Sequence, residues 1–92
     1  MIRKHIIVHG RVQGVGFRFI TASIAASCKV TGWVRNEYDG TVAIEVQGAG
    51  HRVDLFMEEI KKGNRFARVD YLDVTEIPAV NAAKETQFRV RY

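Results

Sequence analysis

The chain has 92 residues, of which 47% are apolar and 26% are charged, and its net charge is +4. This length and composition predict one globular domain spanning residues 1–92, and they exclude a chain too polar to form a core. The single cysteine, Cys28, excludes an internal disulfide and favours a cytoplasmic location. No stretch approaches the roughly 20 apolar residues of a membrane span. The positive charge suits an anionic ligand without identifying one.

The first half of the chain predicts three strands and a helix. In residues 4–12, apolar and polar side chains alternate, which is typical of a strand with one buried face. Residues 17–28 place apolar side chains at helical spacing and predict an amphipathic helix. The segments KVTGWVRN and GTVAIEVQG predict a second and a third strand. Asp39-Gly40 between them favours a hairpin.

The second half predicts a helix and two strands. Apolar side chains at positions i, i+3, i+4 and i+7 predict the second amphipathic helix: Val53, Phe56, Met57 and Ile60. Gly63 is placed to end this helix, because glycine accepts the left-handed conformation. Residues 67–77 predict a fourth strand, and their irregular alternation indicates a bulge or a bend. Pro78 ends that strand, and QFRVRY predicts a short closing strand.

The order of elements is βαββαβ followed by one extra short strand. With right-handed crossovers, this order predicts an α+β fold, the ferredoxin-like sandwich, in which two helices cover one face of an antiparallel sheet. The first and second strands then run in the same direction, so their carboxyl ends lie at the same end of the sheet. The topology therefore brings the loop after Val12 close to Asn36.

The stretch HGRVQGVGFRF joins the first strand to the first helix. It contains no proline, so every backbone N–H is available, and Gly14 and Gly16 permit the positive φ of an anion-binding nest. The start of the helix also favours an anion, and the guanidinium of Arg18 can hold two phosphoryl oxygens. From the loop alone, two interpretations stay open: a phosphate cradle, or a glycine-rich turn beside an exposed arginine.

Several phosphate-site motifs are absent from this stretch. The Walker pattern GxxxxGK[ST] and the spacing GxGxxG do not occur. A cysteine-dependent phosphatase carries its thiolate six residues before the phosphate-binding arginine, and this chain has Val12 at that position. Hydrolysis at the loop would therefore use water directly, without a covalent phosphoenzyme.

GRVQGVGFR followed by GWVRNEYDGTVAIEVQG resembles the acylphosphatase family, and the resemblance continues to the closing FRVRY. The same module is similar to the N-terminal domain of hydrogenase-maturation carbamoyltransferases, but a chain of one domain favours the free-standing enzyme. The resemblance implies hydrolysis of acyl phosphates, which are carboxyl-phosphate mixed anhydrides, to a carboxylate and inorganic phosphate. It implies inorganic phosphate as product and inhibitor, no metal, no cofactor, and neither a nucleic-acid nor a membrane partner.

The resemblance also implies roles for particular residues. Arg18 matches the phosphate-binding arginine of the family, and Asn36 matches the asparagine that orients the attacking water. The cradle of backbone N–H groups corresponds to five loop residues: Gln13, Gly14, Val15, Gly16 and Phe17.

This sequence departs from the family pattern at two positions. Lys29 stands where the family commonly has a glycine, so either Lys29 adopts a positive φ or the helix ends differently. Glu37 follows Asn36 and places a carboxylate near the anion site, where it would weaken phosphate binding slightly unless it points to solvent.

The alternative function is that of a non-catalytic module on the same fold, which would bind phosphate, another anion or RNA. An RNA-binding module of this type displays aromatic side chains on its first and third strands. The predicted open face of the third strand instead carries four other side chains: Thr41, Ala43, Glu45 and Gln47.

His5 and His9 would lie about 13 Å apart along a strand, too far to share a metal ion. We expect a monomer.

Overall fold

Five strands and two helices follow one another in the predicted order. The structure is a computed structural model that describes residues 1–92. The elements are β1 (Ile2–Arg11), α1 (Phe17–Cys28), β2 (Thr31–Asn36), β3 (Val42–Gly48), α2 (Gly50–Lys61), β4 (Arg68–Ile77) and β5 (Phe88–Arg91).

The five strands form one sheet in the order β4-β1-β3-β2-β5. β3 pairs antiparallel with both β1 and β2, so β1 and β2 run in the same direction as predicted. β5 pairs parallel with β2, for example Gly32 with Phe88. The prediction of an antiparallel sheet is therefore wrong for this strand. The reason is that residues 78–87, the crossing segment, pass from β4 at one edge to the other edge and start β5 beside the beginning of β2.

Both helices pack on one face of the sheet, as the ferredoxin-like fold requires. The alternating side chains of the three central strands point into a single core: Ile6, Val8, Val34, Val42, Ile44 and Val46. The helices supply the opposite side of this core: Phe17, Ala25, Cys28, Val53, Phe56 and Ile60. Each helix has 12 residues, and neither is long and apolar enough to cross a membrane.

Polar side chains hold the crossing segment against the end of the sheet. The guanidinium of Arg3, which is 3% exposed, donates hydrogen bonds to both carboxylate oxygens of Glu85, at 2.8 and 3.0 Å. The buried Gln47 amide donates to the carbonyl oxygen of Val80 and accepts from its N–H, at 3.0 and 2.8 Å. Burial acts to raise the pKa of the Glu85 carboxyl, but hydrogen bonds from Arg3 and Thr31 outweigh it and leave that pKa below its ordinary value. These contacts fix where β5 begins.

β4 contains the bulge that its irregular alternation predicts. Asp70 is an extra residue of this strand and has no partner in β1, where the register shifts next to Gly10. Because the extra residue reverses the alternation, Val69 and Leu72 both pack against the core. Gly10 has φ +142°, and a Cβ there would clash with the carbonyl oxygen of Arg68.

A left-handed residue follows each helix. Lys29, directly after α1, has φ 58° and ψ 47°, so the positive φ is the correct alternative for this departure. The N–H groups of Lys29 and Val30 donate to carbonyl oxygens of the last helical turn, at 3.2 and 3.1 Å. This conformation costs a residue with a Cβ about 1–2 kcal/mol. Gly63 follows α2 with φ 60°, as predicted.

Candidate active site

A cavity of about 180 Å³ opens where β1, β2 and β5 end beside the start of α1. Nine residues line it: Val12, Gly14, Gly16, Phe17, Arg18, Phe19, Asn36, Val90 and Tyr92. The cavity thus brings together the glycine-rich loop, Arg18 and Asn36, which are the elements that the topology predicts to meet.

The loop between β1 and α1 presents a run of unpaired donors. The backbone N–H groups of residues 13–16 donate no hydrogen bond within the protein. Gly14 and Gly16 have φ 72° and 76°, the left-handed values that turn successive N–H groups toward one point. Gly16 is also the N-cap of α1, where neither a capping side chain nor an acidic residue in the first turn satisfies the free N–H groups. The local structure is therefore an anion-binding nest continued by a helix N-terminus.

Two of the loop residues predicted for this site turn their side chains away from the cavity. The Gln13 amide donates to the carbonyl oxygens of Glu37 and Thr41, at 2.7 and 2.8 Å, and so ties the loop to the β2–β3 hairpin. Val15 packs against the core. Their side chains fix the shape of the loop, and only their backbone N–H groups remain for a ligand.

Arg18 lies in the first turn of α1 and is held by the end of β5. Its Nη1 donates to the carbonyl oxygen of Arg91 at 3.0 Å, and its guanidinium carbon lies 4.7 Å from the centroid of the Tyr92 ring. A guanidinium has five N–H donors, so donors remain for an anion in the cavity. The sequence pattern does not predict these contacts with Arg91 and Tyr92. They depend on the parallel pairing of β5 with β2, which brings both carboxyl ends to the cavity.

Asn36 is the last residue of β2 and lines the same cavity. Its Oδ1 is buried and has no hydrogen-bond partner in the protein. An unpartnered buried acceptor costs about 1–3 kcal/mol, so such an oxygen is typical of a place that holds a water or a ligand. The Asn36 side chain makes no hydrogen bond within the protein, so it adds no hydrogen bond to the stability of the fold.

The lining of the cavity contains no thiol, serine hydroxyl, imidazole or carboxylate. Val12, which is 1% exposed, forms part of the wall at the position where a cysteine-dependent phosphatase would carry its nucleophile. The lone cysteine, Cys28, is buried at the other end of α1, where burial and the nearby Glu59 raise the pKa of its thiol. Apart from the phenol of Tyr92, which is 95% exposed, the cavity has no side chain suited to forming a covalent intermediate, and it can hold an anion and a water.

The family model described as acylphosphatase matches the chain over residues 4–90. The chain belongs to the acylphosphatase family. It is 46% identical to an acylphosphatase from Clostridium beijerinckii, over all of both chains. The solved acylphosphatase from Bacillus subtilis is 38% identical, with full coverage of both chains and a TM-score of 0.93. The whole of this chain also aligns with 12% of the solved HypF chain from T. kodakarensis, at 32% identity and with a TM-score of 0.85.

As a member of this family, the chain is a hydrolase of acyl phosphates. The alternative of a non-catalytic anion- or RNA-binding module is not favoured by these matches. The open face of the sheet argues in the same direction. Trp33 is only 8% exposed there, because the guanidinium groups of Arg35 and Arg91 cover its ring at 5.0 and 4.8 Å from the centroid. It therefore offers no free surface on which a base could stack.

The second departure from the family pattern, Glu37, lies beside the cavity and does not line it. Its Oε1 is 3.0 Å from Nη2 of Arg35, so a neighbouring cation compensates its charge. Lys29, the first departure, lies at the opposite end of α1 from Arg18. Neither departure changes the lining of the cavity.

The histidines of β1 pair with carboxylates. His5 Nδ1 lies 3.1 Å from Glu45, and His9 Nε2 lies 2.9 Å from Asp73. The His9 ring also stacks on Tyr71, with the ring centroids 4.2 Å apart. The chain has no group of three or more histidine, cysteine or acidic side chains arranged to hold a metal ion.

Proposed function

We propose that this acylphosphatase hydrolyses its substrate by direct attack of a water molecule, with the loop and Arg18 binding the phosphoryl group and Asn36 orienting the water. One observation carries the proposal. The glycine-rich loop with its unpaired N–H groups, Arg18, and Asn36, whose Oδ1 has no hydrogen-bond partner, line a single cavity that lacks a cysteine, serine, histidine or acidic side chain.

Binding would use charge on the phosphoryl oxygens. The unpaired N–H groups of the loop and the start of α1 donate to these oxygens, and Arg18 donates from the side of β5. Charge-assisted hydrogen bonds of this type contribute about 1.5–3 kcal/mol each. The donors are already arranged in the free protein, so little reorganisation is needed as negative charge shifts during the reaction.

The attacking water would be positioned by Asn36. Its amide can both accept a hydrogen bond from the water at Oδ1 and donate one to it from Nδ2. This places the water beside the phosphorus, on the side opposite the acyl oxygen. The amide is neutral at all relevant pH values, so Asn36 acts through orientation and does not remove a proton.

The leaving group needs no acid. An acyl phosphate releases a carboxylate, whose conjugate acid has a pKa near 4–5, as for a glutamate side chain at about 4.3. Such a group departs without protonation, which agrees with a cavity wall that contains neither a histidine nor a carboxylic acid. The same donors bind inorganic phosphate, so the product is expected to inhibit. We further propose that the protein works as a cytoplasmic monomer without a metal or a cofactor.

The test is hydrolysis of benzoyl phosphate in the presence of EDTA by the wild type and Arg18→Ala. Loss of two charge-assisted hydrogen bonds corresponds to about 3–6 kcal/mol, or a fall in kcat/KM of at least 10²-fold. Phosphate inhibition should disappear in the same variant. The matched control is Arg65→Ala, which removes an exposed arginine that lies over Phe66 and does not line the cavity. A wild type that is inactive or stopped by EDTA would contradict the proposal, as would phosphate inhibition that survives in Arg18→Ala.

A further inference from the structure

The mouth of the cavity is apolar although its interior is built for an anion. Phe19 is 79% exposed and Tyr92 is 95% exposed, and both line the cavity together with Val90. Arg18, the glycine-rich loop and Asn36 belong to the same lining. A phosphate ion alone makes no use of such a rim, because it presents only oxygen atoms.

The other exposed aromatic side chains differ from Phe19 in their surroundings. Tyr71 stacks on His9, and Phe66 lies under the guanidinium of Arg65. Tyr38 lines the adjoining cavity, which shares Asn36 and Tyr92 with the first. Three exposed aromatic side chains, Phe19, Tyr38 and Tyr92, therefore line this cavity or the adjoining one. Phe19 has no aromatic or cationic partner of its own.

The size of the cavity determines where an acyl group must go. Its volume of about 180 Å³ lies below the roughly 300–1,000 Å³ of pockets that enclose a whole drug-sized ligand. When the phosphoryl group and the attacking water occupy the polar interior, an acyl group larger than a few atoms extends past the rim. The surface at the rim includes the exposed aromatic side chains of Phe19 and Tyr92.

We propose that Phe19 and Tyr92 form an acyl-binding subsite that selects acyl phosphates with an aromatic or extended apolar acyl group. This inference rests on the proposed function, because it assumes that the phosphoryl group lies in the cavity. Tyr92 has a second contact, with Arg18, so its substitution would mix two effects. Phe19 contributes to the rim alone and is the residue that tests the subsite.

The experiment compares kcat/KM for benzoyl phosphate and acetyl phosphate in the wild type, Phe19→Ala and Phe19→Tyr. An aromatic contact of about 0.5–1.5 kcal/mol corresponds to a change of roughly two- to tenfold. Phe19→Ala should therefore lose about two- to tenfold with benzoyl phosphate and less than twofold with acetyl phosphate, whose acyl group is a single methyl carbonyl. Phe19→Tyr should retain both rates, and phosphate inhibition should be unchanged in both variants.

Phe66→Ala is the matched control, since it removes an exposed phenyl ring, 64% exposed against 79% for Phe19, that does not line the cavity. Thermal unfolding checks that Phe19→Ala folds normally. An equal loss with both substrates, or no loss with benzoyl phosphate, overturns the acyl subsite while leaving the proposed function intact. If the wild type hydrolyses neither substrate, the proposed function fails and the subsite fails with it.

Discussion

Asn36→Ala separates a role in catalysis from a role in the fold. Because Oδ1 of Asn36 has no partner in the protein, the substitution breaks no hydrogen bond that stabilises the folded state. We therefore expect the free energy of unfolding to change by less than about 1 kcal/mol. Loss of the group that orients the water should lower kcat by about 10²-fold, the cost of misplacing a reacting group. Phosphate should bind as before, since Arg18 and the loop are untouched.

The control is the same substitution at Asn64. Its Oδ1 accepts hydrogen bonds from the N–H groups of Phe66 and Ala67, both at 2.8 Å, in the turn after α2. Asn64→Ala should therefore lower the free energy of unfolding by about 1–2 kcal/mol. It should leave kcat unchanged, because this turn contributes nothing to the cavity lining. The two variants are expected to show opposite patterns of stability and activity.

Three measurements are needed for each variant: kcat with benzoyl phosphate, the inhibition constant of phosphate, and the free energy of unfolding from urea titration. Full activity in Asn36→Ala would refute the orienting role, even if the enzyme hydrolyses acyl phosphates. A weakening of phosphate binding as large as the loss of kcat would instead assign Asn36 to phosphate binding.

Three further variants test other parts of the structure. Lys29→Gly should raise the free energy of unfolding by about 1 kcal/mol without changing kcat, because it relieves the left-handed conformation at the end of α1; no gain in urea titration would contradict this account. Gln13→Glu replaces an amide that donates to two carbonyl oxygens with a carboxylate that cannot, and should cost about 2 kcal/mol or more and weaken phosphate inhibition. Glu85→Gln should cost about 1–2 kcal/mol at pH 7, because it weakens the ion pair with Arg3. Since the pKa of Glu85 is lowered from its ordinary value of 4.5, this contribution is present above about pH 4.5 and is lost as the pH falls through the lowered value. The free energies of unfolding of the wild type and Glu85→Gln should therefore converge in acid.

Local patterns were sufficient to predict most of the elements. α1 has the predicted bounds because its apolar spacing begins directly after the glycine-rich loop. The left-handed Gly16 prevents the helix from extending toward the N-terminus. β1 begins earlier than predicted, at Ile2, because its first residues pair with Gly48 and Gln47 of β3. Such pairing joins residues that are distant in sequence, and the alternation of side chains does not report it.

The direction of β5 required information that its own sequence does not contain. A four-residue strand shows the same alternation whether it pairs parallel or antiparallel. Its direction depends on the path of the crossing segment, which Arg3 and Gln47 hold from the other end of the chain. The meeting of the loop and Asn36 depends only on the directions of β1 and β2, so the topology predicts it. The contacts of Arg18 with Arg91 and Tyr92 depend on the direction of β5, so the topology does not predict them.

The short edge strand β5 forms one wall of the cavity. β5 has four residues and a single neighbour, so it is expected to detach at a lower free energy than the central strands unfold. Detachment would take Val90 and Tyr92 from the cavity and remove the carbonyl acceptor of Arg18. An anion that binds only the closed form would slow the hydrogen exchange of β5 amides by mass action. The anchors that keep this wall in place lie at the opposite end of the sheet, so the binding site depends on residues that no ligand touches.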